Sequence, residues 1–178
     1  RGQGLSSRLL SNRHKGYVRC YEDYLADLAL FIEQIYLPGA QSPKICLTHS
    51  MGGHIAVRYL RECGGVFEKC VLSAPMIDIN TWPVPSSIVR RGIRAAIRAG
   101  LEESYLMGHG DYRQGKKFFL FNPLTSDPER FADELKEIRK NPDLAVGGVT
   151  YGWLSASFQS IDLIHSPGYA EAVRTPTL

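Results

Sequence analysis

The sequence predicts an α/β fold, a parallel sheet with helices on both faces and a helical insertion. Three observations carry this expectation. Residues 44–59 read as a short apolar run, a cluster of small residues around one serine, and then a helical pattern: strand, sharp turn, helix. A second apolar run, Lys69-Cys70-Val71-Leu72-Ser73-Ala74-Pro75, follows Gly64-Gly65, and strand, helix, strand at this spacing is a βαβ unit with parallel strands. From residue 79 to about 174 the chain shows helices and loops but no convincing strand.

Taken in order, the chain opens on Arg1-Gly2-Gln3-Gly4-Leu5-Ser6-Ser7, a Gly-rich loop. No strand precedes it and no phosphate-loop lysine follows, which argues against a nucleotide cradle. From Tyr17 the pattern turns helical. Tyr21, Tyr24, Leu25, Leu28, Phe31, Ile32, Ile35 and Tyr36 recur at three and four residues, with Glu22, Asp23, Asp27 and Glu33 between them, and Pro38-Gly39 closes the helix. After the two strands, Thr81-Trp82-Pro83-Val84-Pro85 is stiff and extended. A helix over 86–99 places Ile88, Val89, Ile93, Ala96 and Ile97 on one side, with Arg90, Arg91, Arg94 and Arg98 around it and no acid. Another starts at Ser126, where Glu129 completes a capping box and Pro128 fits the first turn. A third runs over 151–164, with Trp153, Leu154, Phe158 and Ile161 facing one way, and Gly147-Gly148 marks a tight loop before it. The expected organisation is a partial core over 1–78 and an inserted helical cap over 79–174. The next core strand begins at 175–178.

At 178 residues and 44% hydrophobic content the chain can bury a proper core. A net charge of +3, with no long basic run, implies no nucleic-acid partner. Cys20, Cys46, Cys63 and Cys70 stand singly, without metal-ligand spacing or a disulfide framework, and read as buried thiols of a reducing compartment. Residues 1–178 show no signal-peptide pattern and no apolar run of membrane-spanning length, so neither is expected within them. The chain begins at Arg1 without a methionine and stops where a strand begins, so it is expected to be a fragment.

The chemistry concentrates at Ser50. A serine hydroxyl is a weak nucleophile, and an enzyme must expose it, bring a base to it and supply donors for the resulting oxyanion. A strand passing into a helix through one strained residue exposes the hydroxyl and aims the next backbone N–H, that of Met51, where the oxyanion forms, with the helix N-terminus adding positive potential. The turn needs small neighbours. Gly52 meets that need and Gly53 extends it, whereas Thr48 stands where the usual G-x-S-x-G pattern has its first glycine.

With these residues in view, the chain resembles the α/β-hydrolase superfamily, and within it the bacterial lysophospholipase and monoacylglycerol lipase group. Arg1-Gly2-Gln3-Gly4-Leu5-Ser6 is similar to a loop of that family, His49-Ser50-Met51-Gly52-Gly53 to its nucleophile elbow, and Ser73-Ala74-Pro75 to its next strand end. Asn122-Pro123-Leu124-Thr125-Ser126-Asp127, Asn141-Pro142 and Val146-Gly147-Gly148-Val149-Thr150-Tyr151-Gly152-Trp153 resemble the cap of the lysophospholipase-like members, and Thr175-Pro176-Thr177-Leu178 the strand after it. The resemblance implies a partial α/β-hydrolase fold and a carboxylic ester hydrolase acting through an acyl-enzyme on Ser50, with Met51 N–H as an oxyanion donor. It implies a lipid-like ester substrate, and with no metal or nucleotide pattern in the sequence no cofactor is expected. It places the acid and histidine of the triad beyond Leu178 and the second oxyanion donor before Arg1, so the fragment alone should be inactive.

The sequence also accommodates other arrangements. Ser50, then Asp78, Asp111 or Asp162, then His165 would keep the order serine, acid, histidine inside the chain. His49 and His54 lie too near Ser50 in sequence to approach it from a facing loop and read as packing or hydrogen-bonding residues, and His109 reads as a loop residue. The arginine-bearing helix is either a solvated face or a surface for anionic membranes and phospholipid head groups. The rival functions are a non-catalytic lipid or ligand-binding protein on the same scaffold and a short-chain esterase or peptidase. The expected location is cytoplasmic, with peripheral contact at the inner membrane as a further expectation.

Overall fold

The computed structural model describes residues 1–39, 41–113 and 125–178, so Asn122, Pro123 and Leu124 of the cap motif lie outside the described residues. The chain forms two compact units, Arg1–Val18 with Ala96–Leu154, and Arg19–Ala95 with Ser155–Leu178.

The second unit carries the sheet. Helix α1 (Glu22–Phe31) continues through a π-helical turn, Ile32–Tyr36, and a short 3-10 turn, Leu37–Gly39. Strand β1 (Ile45–His49), helix α2 (Met51–Glu62) and strand β2 (Lys69–Ser73) form the expected βαβ unit, with β1 and β2 parallel and Cys46 opposite Cys70. Pro176 and Leu178 extend the ladder: Cys70 N–H donates to Pro176 O, Leu72 N–H to Leu178 O and Leu178 N–H to Cys70 O. The fold is thus α/β, with a parallel sheet and packed helices. Leu25, Ile32 and Tyr59 are the centre of a core cluster, packed by Leu28, Ala29, Tyr36, Ile55, Val66 and Phe67, so the apolar faces of α1 and α2 meet as their 3.6-residue periods require.

Two expectations need correction here. Ile45 and Leu47 are exposed: they alternate with half-buried Cys46 and Thr48, so they lie on the face of β1 that the described residues leave uncovered, where helices on both faces were expected. Nor are the four cysteines uniformly buried: Cys70 is, Cys20 and Cys46 are half-buried and Cys63 is exposed at the end of α2.

Helix α3 (Ser86–Arg98) and helix α5 (Tyr151–Ile164) match the expected spans and contribute residues to both units. Helix α4 (Pro128–Lys140) starts one residue later than a cap at Ser126 implies. Its cap is Asp127, not Ser126: the Asp127 carboxylate accepts from the N–H groups of Glu129 and Arg130, with Pro128 at the first helical position. Asp127 brings a full negative charge to the same orphan donors that a serine would satisfy, so it takes the cap.

In the first unit the loop at Gly147-Gly148 is tight for a visible reason. A Cβ on Gly147 would stand 2.5 Å from Gly110 O and one on Gly148 2.4 Å from His109 Cβ, so three segments cross with no room for side chains. Their backbones bond directly, Gly147 N–H to His14 O, Gly148 N–H to Gly110 O and Gly16 N–H to Gly148 O. His109 is part of this crossing, its Nδ1 accepting from Val149 N–H.

Candidate active site at the turn after the first strand

Ser50 stands at the junction of β1 and α2 with φ 52° and ψ −123°, a conformation that costs a non-glycine residue on the order of 1–3 kcal/mol. The surroundings hold it there. Ser50 N–H donates to Ser73 O at the end of β2, and Ser50 O accepts from Gly53 N–H at 2.9 Å, His54 N–H at 3.2 Å and Met76 N–H at 2.9 Å. The Met51 N–H, first in α2, has no backbone acceptor among the described residues and is one of the orphan donors of the helix start.

The glycine requirement differs from the sequence expectation. Gly53 is the pinned position: a Cβ there would stand 2.7 Å from Pro75 Cβ and 2.9 Å from Pro75 Cα. Gly52 has space, since a Cβ there would meet Thr48 Cβ at 4.0 Å, an ordinary contact. Threonine at 48 is therefore accommodated, and the departure from G-x-S-x-G creates no clash with α2. What the turn cannot tolerate is bulk where α2 passes the chain leaving β2.

The histidines and acids near Ser50 in sequence are engaged elsewhere. His49 Nδ1 pairs with Ser73 O at 3.0 Å. His54 is fully buried, with Nδ1 on Met76 O at 2.9 Å and Nε2 on Ser160 Oγ at 2.6 Å. His165 Nε2 is bound to Ile77 O at 2.8 Å. Asp162 pairs with Arg90, Asp111 accepts from Tyr105 and Asn12, and Asp78 accepts from its neighbour's N–H, that of Ile79. None of these contacts joins an acid to a histidine or a histidine to Ser50 Oγ, so an in-chain triad of Asp78, Asp111 or Asp162 with His165 is not assembled.

Behind Ser50 lies a polar ladder that periodicity did not reveal. Arg58, one turn beyond His54 and only 2% exposed, donates through Nε to Glu62 at 2.8 Å, through one terminal nitrogen to Glu22 at 2.7 Å and through the other to Ser160 Oγ at 3.1 Å. Tyr169 adds a hydrogen bond to Glu62. The ladder joins α1, α2 and α5 around a buried charge that two carboxylates compensate, without which its desolvation would be prohibitive. The sequence signal was Arg58 itself, an arginine four residues from both His54 and Glu62 on the inward side of α2.

Burial drives the His54 pKa below its ordinary 6.5, opposed by the hydrogen bond to the Met76 carbonyl and reinforced by the nearby Arg58 guanidinium. A base whose folded pKa is depressed contributes stability that is complete above its unfolded value and is lost as pH falls from about 6.5 toward the folded value. The intact protein should therefore lose denaturation stability between pH 7.5 and 5 more steeply than its His54→Asn variant, a comparison that cancels groups common to both. Equal slopes would contradict this.

A family model described as serine aminopeptidase, S33, matches residues 1–178. The chain belongs to this family. It is 35% identical over 179 residues to lysophospholipase L2 of Escherichia coli (strain K12), covering 100% of this chain and 51% of that protein. It is 32% identical over 162 residues to the probable lysophospholipase L2 of Haemophilus influenzae, covering 90% of this chain and 50% of that one. The chain thus spans about half the length of the curated relatives it matches. Two solved structures share the α/β-hydrolase fold. One is the monoacylglycerol lipase of Paleococcus ferrophilus, with TM-score 0.57, 17% identity and coverage of 99% of this chain and 57% of that one. The other is a thermostable carboxyl esterase from Bacillus coagulans in complex with glycerol, with TM-score 0.61, 20% identity and the same coverage. Within the S33 family fold, then, the described residues supply the Ser50 turn, β1, α2 and β2. They contain no group of three His, Cys, Asp or Glu side chains placed to hold a metal ion, and no helix long and apolar enough to cross a membrane.

Proposed function

We propose that the protein containing this chain is a serine hydrolase of carboxylic esters, releasing fatty acid from a lysophospholipid or monoacylglycerol through an acyl-enzyme on Ser50. The single observation that carries the reading is Ser50 at positive φ on the strand-to-helix apex, directly before a backbone N–H that has no backbone acceptor among the described residues. In the reaction, Ser50 Oγ attacks the ester carbonyl as a base takes its proton, and Met51 N–H receives charge on the oxyanion. The tetrahedral adduct collapses as the alcohol leaves with that proton, and water then hydrolyses the acyl-enzyme by the same two steps. His49, His54 and His165 are held by other partners. We therefore assign base and acid to the half of the protein that these residues do not include. Residues 79–174 are proposed as the cap that shapes the acyl pocket.

The choice of lipid substrate follows the names of the two relatives above. It gains support from the chain leaving β2, where Trp82 is 85% exposed and Val84 and Ile88 also face out. Arg91 and Arg94 lie exposed on α3 nearby, whereas Arg90 pairs with Asp162 and lies 4.1 Å over the Phe158 ring, so it leaves the set of free cations. An indole and aliphatic side chains beside arginines suit the interface of an anionic membrane, and we propose peripheral contact there, from the cytoplasmic side. The family description favours a second reading, a peptidase.

The test is substrate choice by the intact protein. Fatty-acid release from lysophospholipid or monoacylglycerol, faster than cleavage of short-chain p-nitrophenyl esters or aminoacyl amides, is expected. Charge removal at Arg91 and Arg94 should slow hydrolysis in anionic vesicles and spare soluble esters. Preference for aminoacyl amides would replace the lipid reading with the peptidase one.

A further inference from the structure

The chain after β2 reaches Ser50 through the backbone of one residue, Met76. Met76 N–H donates to Ser50 O at 2.9 Å, and Met76 O receives His54 Nδ1 at 2.9 Å. The hydrogen-bond directions are fixed by inventory. A carbonyl only accepts, so His54 Nδ1 carries the proton. A neutral imidazole then presents a lone pair at Nε2, and Ser160 Oγ–H must donate to it. Ser160 Oγ retains an acceptor site, which Arg58 fills at 3.1 Å. Arg58 is aimed in turn by Glu22 and Glu62. The result is one directed chain, from Arg58 to Ser160 to His54 to the Met76 carbonyl, in which each member has a single allowed orientation.

We propose that His54 is a positioning residue for the Ser50 reaction: by holding the Met76 carbonyl it fixes the backbone of Met76, whose N–H clamps the chain after β2 onto the Ser50 carbonyl and so maintains the strained turn that aims Ser50 Oγ and Met51 N–H. The strain at Ser50 needs such a clamp. A residue at φ 52° relaxes toward ordinary conformations unless its carbonyl and amide are both held, and Met76 is the acceptor's partner from outside α2. The His54 ring also packs in a T-shaped contact with Tyr21, with ring centroids 4.9 Å apart, and Tyr21 OH is tied to Ser157 Oγ, so the imidazole is restrained beside Met76. Ser160 plays the supporting part by fixing the tautomer, the role that an orienting group plays beside any histidine that must present one nitrogen.

The inference rests on the serine hydrolase reading for its catalytic consequence and on geometry alone for the clamp, so the test has two arms. Both use the intact protein with His54→Phe, His54→Asn, Ser160→Ala and, as a packing control, Ile161→Val. The first arm is amide exchange at Met76. His54→Phe removes the donor and should speed exchange, Ser160→Ala should do so partially, and His54→Asn, which can donate from its amide at the Nδ1 position, should restore protection. The second arm is the rate of Ser50 labelling by a fluorophosphonate, with kcat and KM on a soluble ester. Labelling and kcat should fall roughly tenfold or more in His54→Phe with KM within about twofold, recover to within about threefold in His54→Asn, and stay at the wild-type rate in Ile161→Val. Unchanged Met76 exchange in both His54→Phe and Ser160→Ala would overturn the clamp. Faster exchange with wild-type labelling would overturn its catalytic role. A wild-type protein that never labels at Ser50 would instead defeat the hydrolase reading, and the exchange arm would still decide the clamp. If His54→Phe fails to fold, Ser160→Ala and His54→Asn carry both arms.

Discussion

Ser50→Gly in the intact protein should lower ester hydrolysis by at least roughly a thousandfold and at the same time raise stability by about 1–2 kcal/mol. The two effects share one cause. Ser50 adopts φ 52° because four backbone hydrogen bonds and the close pass of α2 by Pro75 require it. Glycine accepts that conformation without the steric cost of a Cβ, so the strain disappears together with the nucleophile. Ser50→Ala separates them: it should be equally inactive but gain little stability, since alanine keeps the Cβ. Chemical denaturation of the three proteins with parallel ester assays reads both quantities. A Ser50→Gly protein no more stable than Ser50→Ala would mean that the turn is not under strain.

Gly53→Ala is the second large effect, in the opposite direction to helix propensity. Alanine inside a helix ordinarily gains about 1 kcal/mol over glycine. Here the new methyl would lie 2.7 and 2.9 Å from Pro75 Cβ and Cα, atoms of a ring and a backbone that cannot rotate aside. The helix or the chain after β2 must move, at a net cost of about 1–3 kcal/mol. Because that chain carries Met76, the movement should also disturb Ser50 and reduce turnover beyond the stability loss. Gly52→Ala is the contrast, with 4.0 Å to Thr48 Cβ, and should be close to neutral in stability. Equal losses in the two variants, read from denaturation midpoints, would contradict the assignment of Gly53 as the pinned glycine.

What could be read from the sequence was local. The run around Ser50 gave its strand, turn and helix because small residues, apolar periodicity and chain order all act within a few residues. The spans of α3 and α5 were legible for the same reason. What depended on a distant partner was not. Whether Gly52 or Gly53 is pinned depends on where Pro75 crosses, and whether Thr48 is tolerated depends on the opposite wall of the turn. The cap of α4 fell to Asp127 rather than Ser126, a competition between two good caps that spacing alone does not resolve. The partnership of His54 with Ser160 spans 106 residues and has no periodic signature. The exposure of Ile45, Leu47 and Cys63 reflects which neighbours the described residues provide, a quantity that a hydrophobic pattern does not contain.

The most direct test of the account is to treat the intact protein with a fluorophosphonate, digest it and locate the adduct by mass spectrometry. A hydrolase acting through Ser50 gives one adduct, on Ser50, absent from the Ser50→Ala variant. An adduct on another residue, or labelling that survives the substitution, would contradict it.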